Sequence, residues 1–294
     1  MNILFAAVLL VELAAPTGGR AGPSSTPVAS SHSLWKDEWR RVTWPEIGDF
    51  ASFEAISLAG PLVFSKPSQP KWRGGILFDD AISDKLRLSS GIGPLSTATD
   101  IGMYALQGLP VIDAGITAWW FRGDRDTAIQ LAIIDLESYA FTDLAIWSLK
   151  TAIARERPQD YHLGCFEPGA PAACGKAKST SFPSNHAATS FTAASLFCTQ
   201  HSQMSLYGGA ADVWGCVGAL TAATGISVAR VMADHHYTTD ILAGAGIGVL
   251  SGWAIPRLLH FRRFSHTEKT SLLSVSLVPV PTTTGMTLSL VGGL

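Results

Sequence analysis

The sequence predicts an all-α helical bundle that ends in a short β-hairpin. Three observations carry this. Asp126 to Lys150, DTAIQLAIIDLESYAFTDLAIWSLK, runs without Gly or Pro and reads as one long helix. His186 to Cys198, Val213 to Met232 and Thr239 to Leu259 are further apolar stretches, dense in Ala, Gly, Ser and Thr. Such small residues let helices approach closely, in a membrane or out of one. Near the C-terminus the period changes. Leu273, Val275 and Leu277 alternate with Ser274 and Ser276, and Met286, Leu288 and Leu290 alternate with Thr287 and Ser289. This is strand periodicity on both sides of a Pro/Thr/Gly turn.

The remaining segments follow in order. Ile3 to Ala15 is an apolar run of signal-peptide length, too short to span a bilayer comfortably, and a Ser/Pro/Gly-rich stretch follows it. No Lys or Arg precedes the run and Glu12 interrupts it, so an uncleaved anchor is the alternative. The expected organisation is a signal peptide over 1–21, a linker with an amphipathic segment over 22–50, a helical domain over 51–265 and the hairpin tail over 266–294. LWKDEWRRVTWPEIGDF, with three Trp among charges, reads either as an interfacial helix or as Trp side chains packed on the protein's own body. Between 50 and 122 apolar stretches alternate with Gly/Pro breaks. Asp135, Glu137 and Asp143 argue against lipid on all sides of the long helix.

Composition narrows the function classes. The 294 residues are 47% hydrophobic and 15% charged, well under the roughly 25% charge of ordinary soluble domains, and the mean hydropathy is +0.24. The chain is therefore membrane-embedded or a compact bundle of unusually apolar helices. A net charge of −2 gives no sign of a nucleic-acid surface. Of the four cysteines, Cys165 and Cys174 bracket a short Gly/Pro-rich loop, where a disulfide is expected if the chain is exported. Cys198 and Cys216 read as buried small hydrophobes.

Three clusters carry chemistry. In LKTAIARERPQD, Lys150 and Arg157 are seven residues apart, two turns on one helix face, before Pro158 ends the helix. Arg155 and Glu156 read as ordinary surface charges. In STSFPSNHAATSF, Ser184 is a good N-cap, and the helix start behind it offers backbone N–H groups to an anion, with His186 alongside. Asn185 tolerates left-handed backbone better than most residues. In ARVMADHHYTTD, Asp240 follows His236 by four residues, close enough to fix one imidazole nitrogen and leave the other free. Arg230 adds a third cation, and Asp234 and His235 read as rim residues. Each cluster has a structural alternative, as helix caps or dipole partners. Together they form an inventory for splitting a phosphate ester without a metal.

Lys150-x6-Arg157-Pro158, then Pro183-Ser184-Asn185-His186, then Arg230-x5-His236-x3-Asp240 resembles the three-part signature of the type 2 phosphatidic acid phosphatase superfamily, which also holds class A acid phosphatases and vanadium haloperoxidases. The resemblance implies a helical bundle of that kind and a phosphohistidine mechanism. His236 would attack phosphorus, with Asp240 orienting it. His186 would protonate the leaving alcohol, and Lys150, Arg157, Arg230 and the N–H groups near Ser184 and Asn185 would hold the phosphoryl oxygens. It implies no cofactor. The alternative from the same pattern is a vanadate-dependent haloperoxidase with His236 as the ligand, and a third reading is an inactive envelope scaffold. Asn185 stands where the family usually has Gly, and Ala229 where it has Ser. The expected partner is a phosphorylated lipid or a small phosphomonoester, at a membrane surface or in a bilayer, in the periplasm or cell envelope. Oligomeric state is not readable.

Overall fold

The computed structural model describes residues 33–42, 48, 67–262, 274–282 and 285–293. The expected signal peptide, most of the linker and the boundary near 265 lie outside the described residues. The helices are α1 (Asp79–Leu86), α2 (Ile92–Asp113, continued by a π-helical stretch Ala114–Phe121), α3 (Arg125–Ile153), α4 (Pro158–His162), α5 (Asn185–Met204), α6 (Ala210–Met232), α7 (Thr238–Val249, continued through Leu250–Ala254) and α8 (Ile255–Leu259). A 3₁₀ turn, Ala172–Lys176, lies between α4 and α5. The last segment pairs β1 (Ser274–Thr282) antiparallel with β2 (Gly285–Gly293), Thr282 opposite Gly285. The protein is all-α in class.

Local chemistry sets the helix ends. The Asp124 carboxylate caps α3, accepting from Thr127 N at 3.0 Å, and also accepts from Leu34 N at 2.6 Å. At its other end Ala154 takes a left-handed conformation, φ 48°, which stops the helix. Pro110 falls inside α2 without ending it. Residues 33–42 form turns and bends instead of an amphipathic helix. Trp35 and Trp39 are buried there, with ring centroids 5.7 and 5.0 Å from Phe261. Packing on the protein's own body is thus the reading that holds for these two.

Helix α5 is central, packed by α2, α3, α6 and α7. Its inner positions, Ala187, Ala188, Ser190, Ala193 and Ala194, are fully buried and small. The closest approach is made by α7. A methyl group added at Gly244, Gly248 or Gly252 would meet the carbonyl oxygen of Ser184, Ala188 or Thr192 at 2.5, 2.4 and 2.4 Å. The spacing of four puts the three glycines on one helix face, and it locks α7 alongside α5. Of the acids of α3, Asp135 and Glu137 turn inward, as their distribution suggested. Asp135 accepts from Gln200 Nε2 at 2.5 Å, and Glu137 meets His260 Nε2 at 2.6 Å.

Cysteine pairing goes beyond expectation. Cys165 and Cys174 form one disulfide. Cys198 and Cys216, read from sequence as buried thiols, form a second. They sit on α5 and α6, with Cα atoms 4.8 Å apart, a separation that bridging requires. Helical packing, invisible in the spacing, brings them together.

The α5–α7 contact makes a prediction. Gly248→Ala should destabilise the fold by about 1–3 kcal/mol through overpacking. Gly246→Ala, whose methyl would meet nothing within 4 Å, should leave stability unchanged or slightly raised. Thermal unfolding of the purified proteins distinguishes the two, and equal effects would refute the close-contact account.

Candidate active site

Five helix termini meet at one end of the bundle: the starts of α2, α5 and α7 and the ends of α3 and α6. Each predicted site residue lies on one of these termini or on the loops between them. Lys150 is buried near the end of α3, and its Nζ donates to Thr180 O at 2.6 Å and Pro183 O at 2.7 Å. This ammonium therefore ties α3 to the chain entering α5. Ser184 caps α5, accepting from Ala187 N at 3.4 Å, and its own N–H donates to Asp240 O at 3.0 Å. Asn185 is the first residue of α5 and is absent from the positive-φ positions. No left-handed backbone is needed there, so replacing the family's usual Gly costs the turn nothing.

Arg157 corrects the sequence reading. It does not share a helix face with Lys150, because α3 ends at Ile153 and Ala154 turns the chain. Residues beyond Ala154 run extended beside Trp72, with Lys71 N donating to Ala154 O and Glu156 N to Trp72 O. Arg157 then precedes α4, with Pro158 in its first turn. Arg157 Nε, Arg230 Nε and His236 Nδ1 are buried nitrogens with no hydrogen-bond partner among the described residues. Arg230 is fixed from α2, its Nη1 donating to Ser96 Oγ and Thr99 Oγ1 at 3.1 Å each.

His236 is almost wholly buried, and its Nδ1 lies 3.6 Å from Asp240 Oδ2, too long for a hydrogen bond. Asp240 is instead engaged on both oxygens. Oδ1 accepts from Arg155 Nη1 at 2.7 Å, and Oδ2 accepts from Ser181 Oγ at 2.6 Å and Tyr237 N at 2.9 Å. Burial first, and then the charges of Arg157, Lys150 and Arg230, hold the His236 imidazole well below the usual histidine range. His186 is pushed down to about 4, by burial and then by Arg230, against the pull of Asp100. His235 is pushed down to about 3 by burial and then by Arg230.

Sequence reasoning misplaced four residues. Arg155 and Glu156 are not surface charges, for both are fully buried. Arg155 lies between the rings of Trp72 and Tyr237, at 4.1 and 3.9 Å, and bridges Asp79 and Asp240 at 2.8 and 2.7 Å. Glu156 accepts from Arg73 Nε at 2.8 Å. Asp234 is buried too, left-handed at φ 57°, with one oxygen 2.9 Å from His162 Nδ1. His235 is half-buried in the site wall, between Gln159 and Ser96. Two acids were missed altogether: Asp79, and Asp100, which meets His186 Nε2 at 2.6 Å. Neither shares a local motif with the residues it touches, so spacing held no signal. Among the described residues no group of three His, Cys, Asp or Glu is placed to hold a metal ion.

Residues 131–264 match the PAP2 superfamily, a span containing all three motifs. A lipid A 1-phosphatase from Porphyromonas gingivalis is 32% identical over 92 residues, 31% of this chain and 18% of that protein. The chain thus spans under a fifth of that relative's length. The crystal structure of a transmembrane PAP2 type phosphatidylglycerolphosphate phosphatase from Bacillus subtilis overlaps 72% of this chain and 94% of its own, at 19% identity and a TM-score of 0.46.

The buried charges give two expectations. Arg155→Met would leave two buried carboxylates without their cation and should cost about 3–5 kcal/mol, measured by denaturant unfolding. A loss under 1 kcal/mol would place Arg155 outside the structural core. The second concerns acid. His186, His235 and His236 titrate lower folded than unfolded, so as pH falls through about 6.5 the unfolded chain takes protons first. Their stability contribution is complete above that pH and is lost below it, toward the folded values. Tm in phosphate-free buffer should therefore fall between pH 7 and pH 5, and a rise over that window would contradict the assignment.

Proposed function

Residues 131–264 match the PAP2 superfamily, and from that premise we propose that the chain is a metal-independent phosphatase of lipid phosphates or lipid pyrophosphates that works through a phosphohistidine. The observation that carries the proposal is the meeting of Lys150, Arg157 and Arg230 with His236 and His186 at one end of the bundle. A neutral imidazole is a nucleophile at neutral pH, and the depressed titration of His236 keeps it so. Its Nδ1 faces Asp240, which leaves Nε2 to attack. The N–P bond forms as the ester P–O bond breaks, and the leaving oxygen takes a proton from His186. Water then attacks phosphorus, gives a proton to His186 and releases phosphate and His236. The three cations and the capped start of α5 offset the phosphoryl charge throughout.

A lipid substrate is favoured by the protein's surface. Ala210–Met232 and Thr238–Leu259 are each long and apolar enough to cross a membrane, and Trp214, Trp253 and Leu250 are exposed on them. Trp119, Trp120 and Phe121 are exposed at the end of the bundle away from the histidines. Exposed aromatics of this kind suit a membrane–water interface. Two disulfides suit an oxidising compartment, which supports a site on the exported side. The lipid A 1-phosphatase named above points to the same substrate class.

His236→Asn should lower phosphate release by on the order of a thousandfold or more, with the fold retained. Wild-type activity should survive EDTA and be inhibited by vanadate. Release assays on lipid and soluble phosphates read all three. Near-normal turnover in His236→Asn would sink the phosphohistidine. Vanadate-activated halide oxidation would make the protein a haloperoxidase.

A further inference from the structure

We propose that Asp100, on α2 and outside the family-matched span, is a positioning residue that holds His186 in its proton-donating state. This rests on the phosphatase reading above. The first turns of α2 form one wall of the site. Ser96 reaches Arg230 and His235, Thr99 reaches Arg230, and Asp100 reaches His186. The Asp100 contact is short, 2.6 Å from Oδ1 to His186 Nε2, and the same oxygen lies 3.6 Å from Arg230 Nη1. An ionised carboxylate can only accept, so His186 Nε2 carries the hydrogen and Asp100 fixes where it points.

A general acid among cations needs such a partner. His186 is faced by Arg230 from α6, by Arg157 before α4, and by His235 and His236 from the loop before α7. The arginines oppose a positive imidazolium, and so does burial. Asp100 is the carboxylate in contact with His186 that favours it. It is half-exposed, so its charge remains available while the phosphoryl group sits deeper against the cations. When substrate binds, the leaving oxygen replaces Asp100 as acceptor of the Nε2 hydrogen. The proton moves from Nε2 to that oxygen as the P–O bond breaks. In the second half of the cycle the proton removed from water returns to Nε2, and Asp100 again accepts from it.

Leaving-group chemistry tests this. An alkyl phosphate needs the acid because an alkoxide is a poor leaving group, whereas p-nitrophenolate leaves without protonation. For Asp100→Asn, the ratio of turnover on short-chain phosphatidic acid in detergent micelles to turnover on p-nitrophenyl phosphate should fall by on the order of a hundredfold. The alkaline limb of the phosphatidic acid pH profile should move to lower pH, because His186 then loses its proton sooner. Asp100→Glu should restore much of the ratio, and His186→Asn should show the same selective loss as Asp100→Asn. An unchanged ratio and pH profile in Asp100→Asn, or an equal loss on both substrates, would overturn the proposal. His236→Asn serves as the separate control. If it stays active, the phosphatase mechanism itself has failed. If it is dead while Asp100→Asn keeps the wild-type ratio, only the role of Asp100 has.

Discussion

The site depends on burying one guanidinium. Arg155 has five N–H donors and makes five bonds: Nε to Gly74 O, Nη1 to Thr239 Oγ1 and Asp240, and Nη2 to Gly74 O and Asp79. Trp72 and Tyr237 cover its two faces. Desolvating a charge costs several kcal/mol unless its partners and geometry compensate, and here every donor is satisfied. A lysine, with three donors and no planar faces, could not fill the same position. The bonds join four parts of the chain: the segment before α1, α1 itself, the extended stretch after α3, and the start of α7. They also occupy Asp240, which explains why it stands off from His236. Asp240 holds the wall behind the nucleophile and touches its ring only at long range. Asp79 completes the arrangement by accepting from Thr239 N and Oγ1 as well, so the first turn of α7 is fixed from both sides.

Precision at the site is then inherited from the helix bundle. His236 and Asp240 sit at the start of α7 and Ser184 and His186 at the start of α5, so their separation is set by how closely the two helices lie. The glycines at 244, 248 and 252 set that distance by letting backbone meet backbone. Ser184 N–H bonding to Asp240 O repeats the constraint at the termini. Lys150 adds a third tether through the carbonyls of Thr180 and Pro183. The site is built on helix ends and held by short polar contacts, which keeps its groups in place before substrate arrives.

Helices α3, α5, α6 and α7 were legible in the sequence because each carries a long apolar run, and the three motifs were legible because each is local. What escaped was long-range. Arg155 lies two residues from Arg157, yet it points into the protein interior, because Ala154 turns left-handed and the following residues pair with Trp72. No periodicity announces a single left-handed alanine. Asp79 and Asp100 are 76 and 86 residues from their partners Arg155 and His186, so they emerge only when α1 and α2 pack. Cys198 and Cys216 looked like apolar filling for the same reason, since their pairing depends on the register of α5 against α6. Local chemistry is written in spacing, whereas counter-charges are placed by the fold.

That division has a functional logic. On the mechanism proposed above, Lys150, Arg157 and Arg230 make a pocket that repels further positive charge and gains most when a phosphoryl group enters. Equal affinity for substrate and released phosphate would slow turnover, because only stabilisation specific to the transition state accelerates the reaction. The carboxylates limit that uniform attraction. Asp240 shares the charge of Arg155 with Asp79 behind His236, while half-exposed Asp100 stands beside His186. On the proposed mechanism, negative charge there would disfavour a lingering phosphate dianion and favour the imidazolium needed when the ester bond breaks. One carboxylate placed by α2 would then act in opposite directions on the ground state and on the proton donor, as differential binding requires.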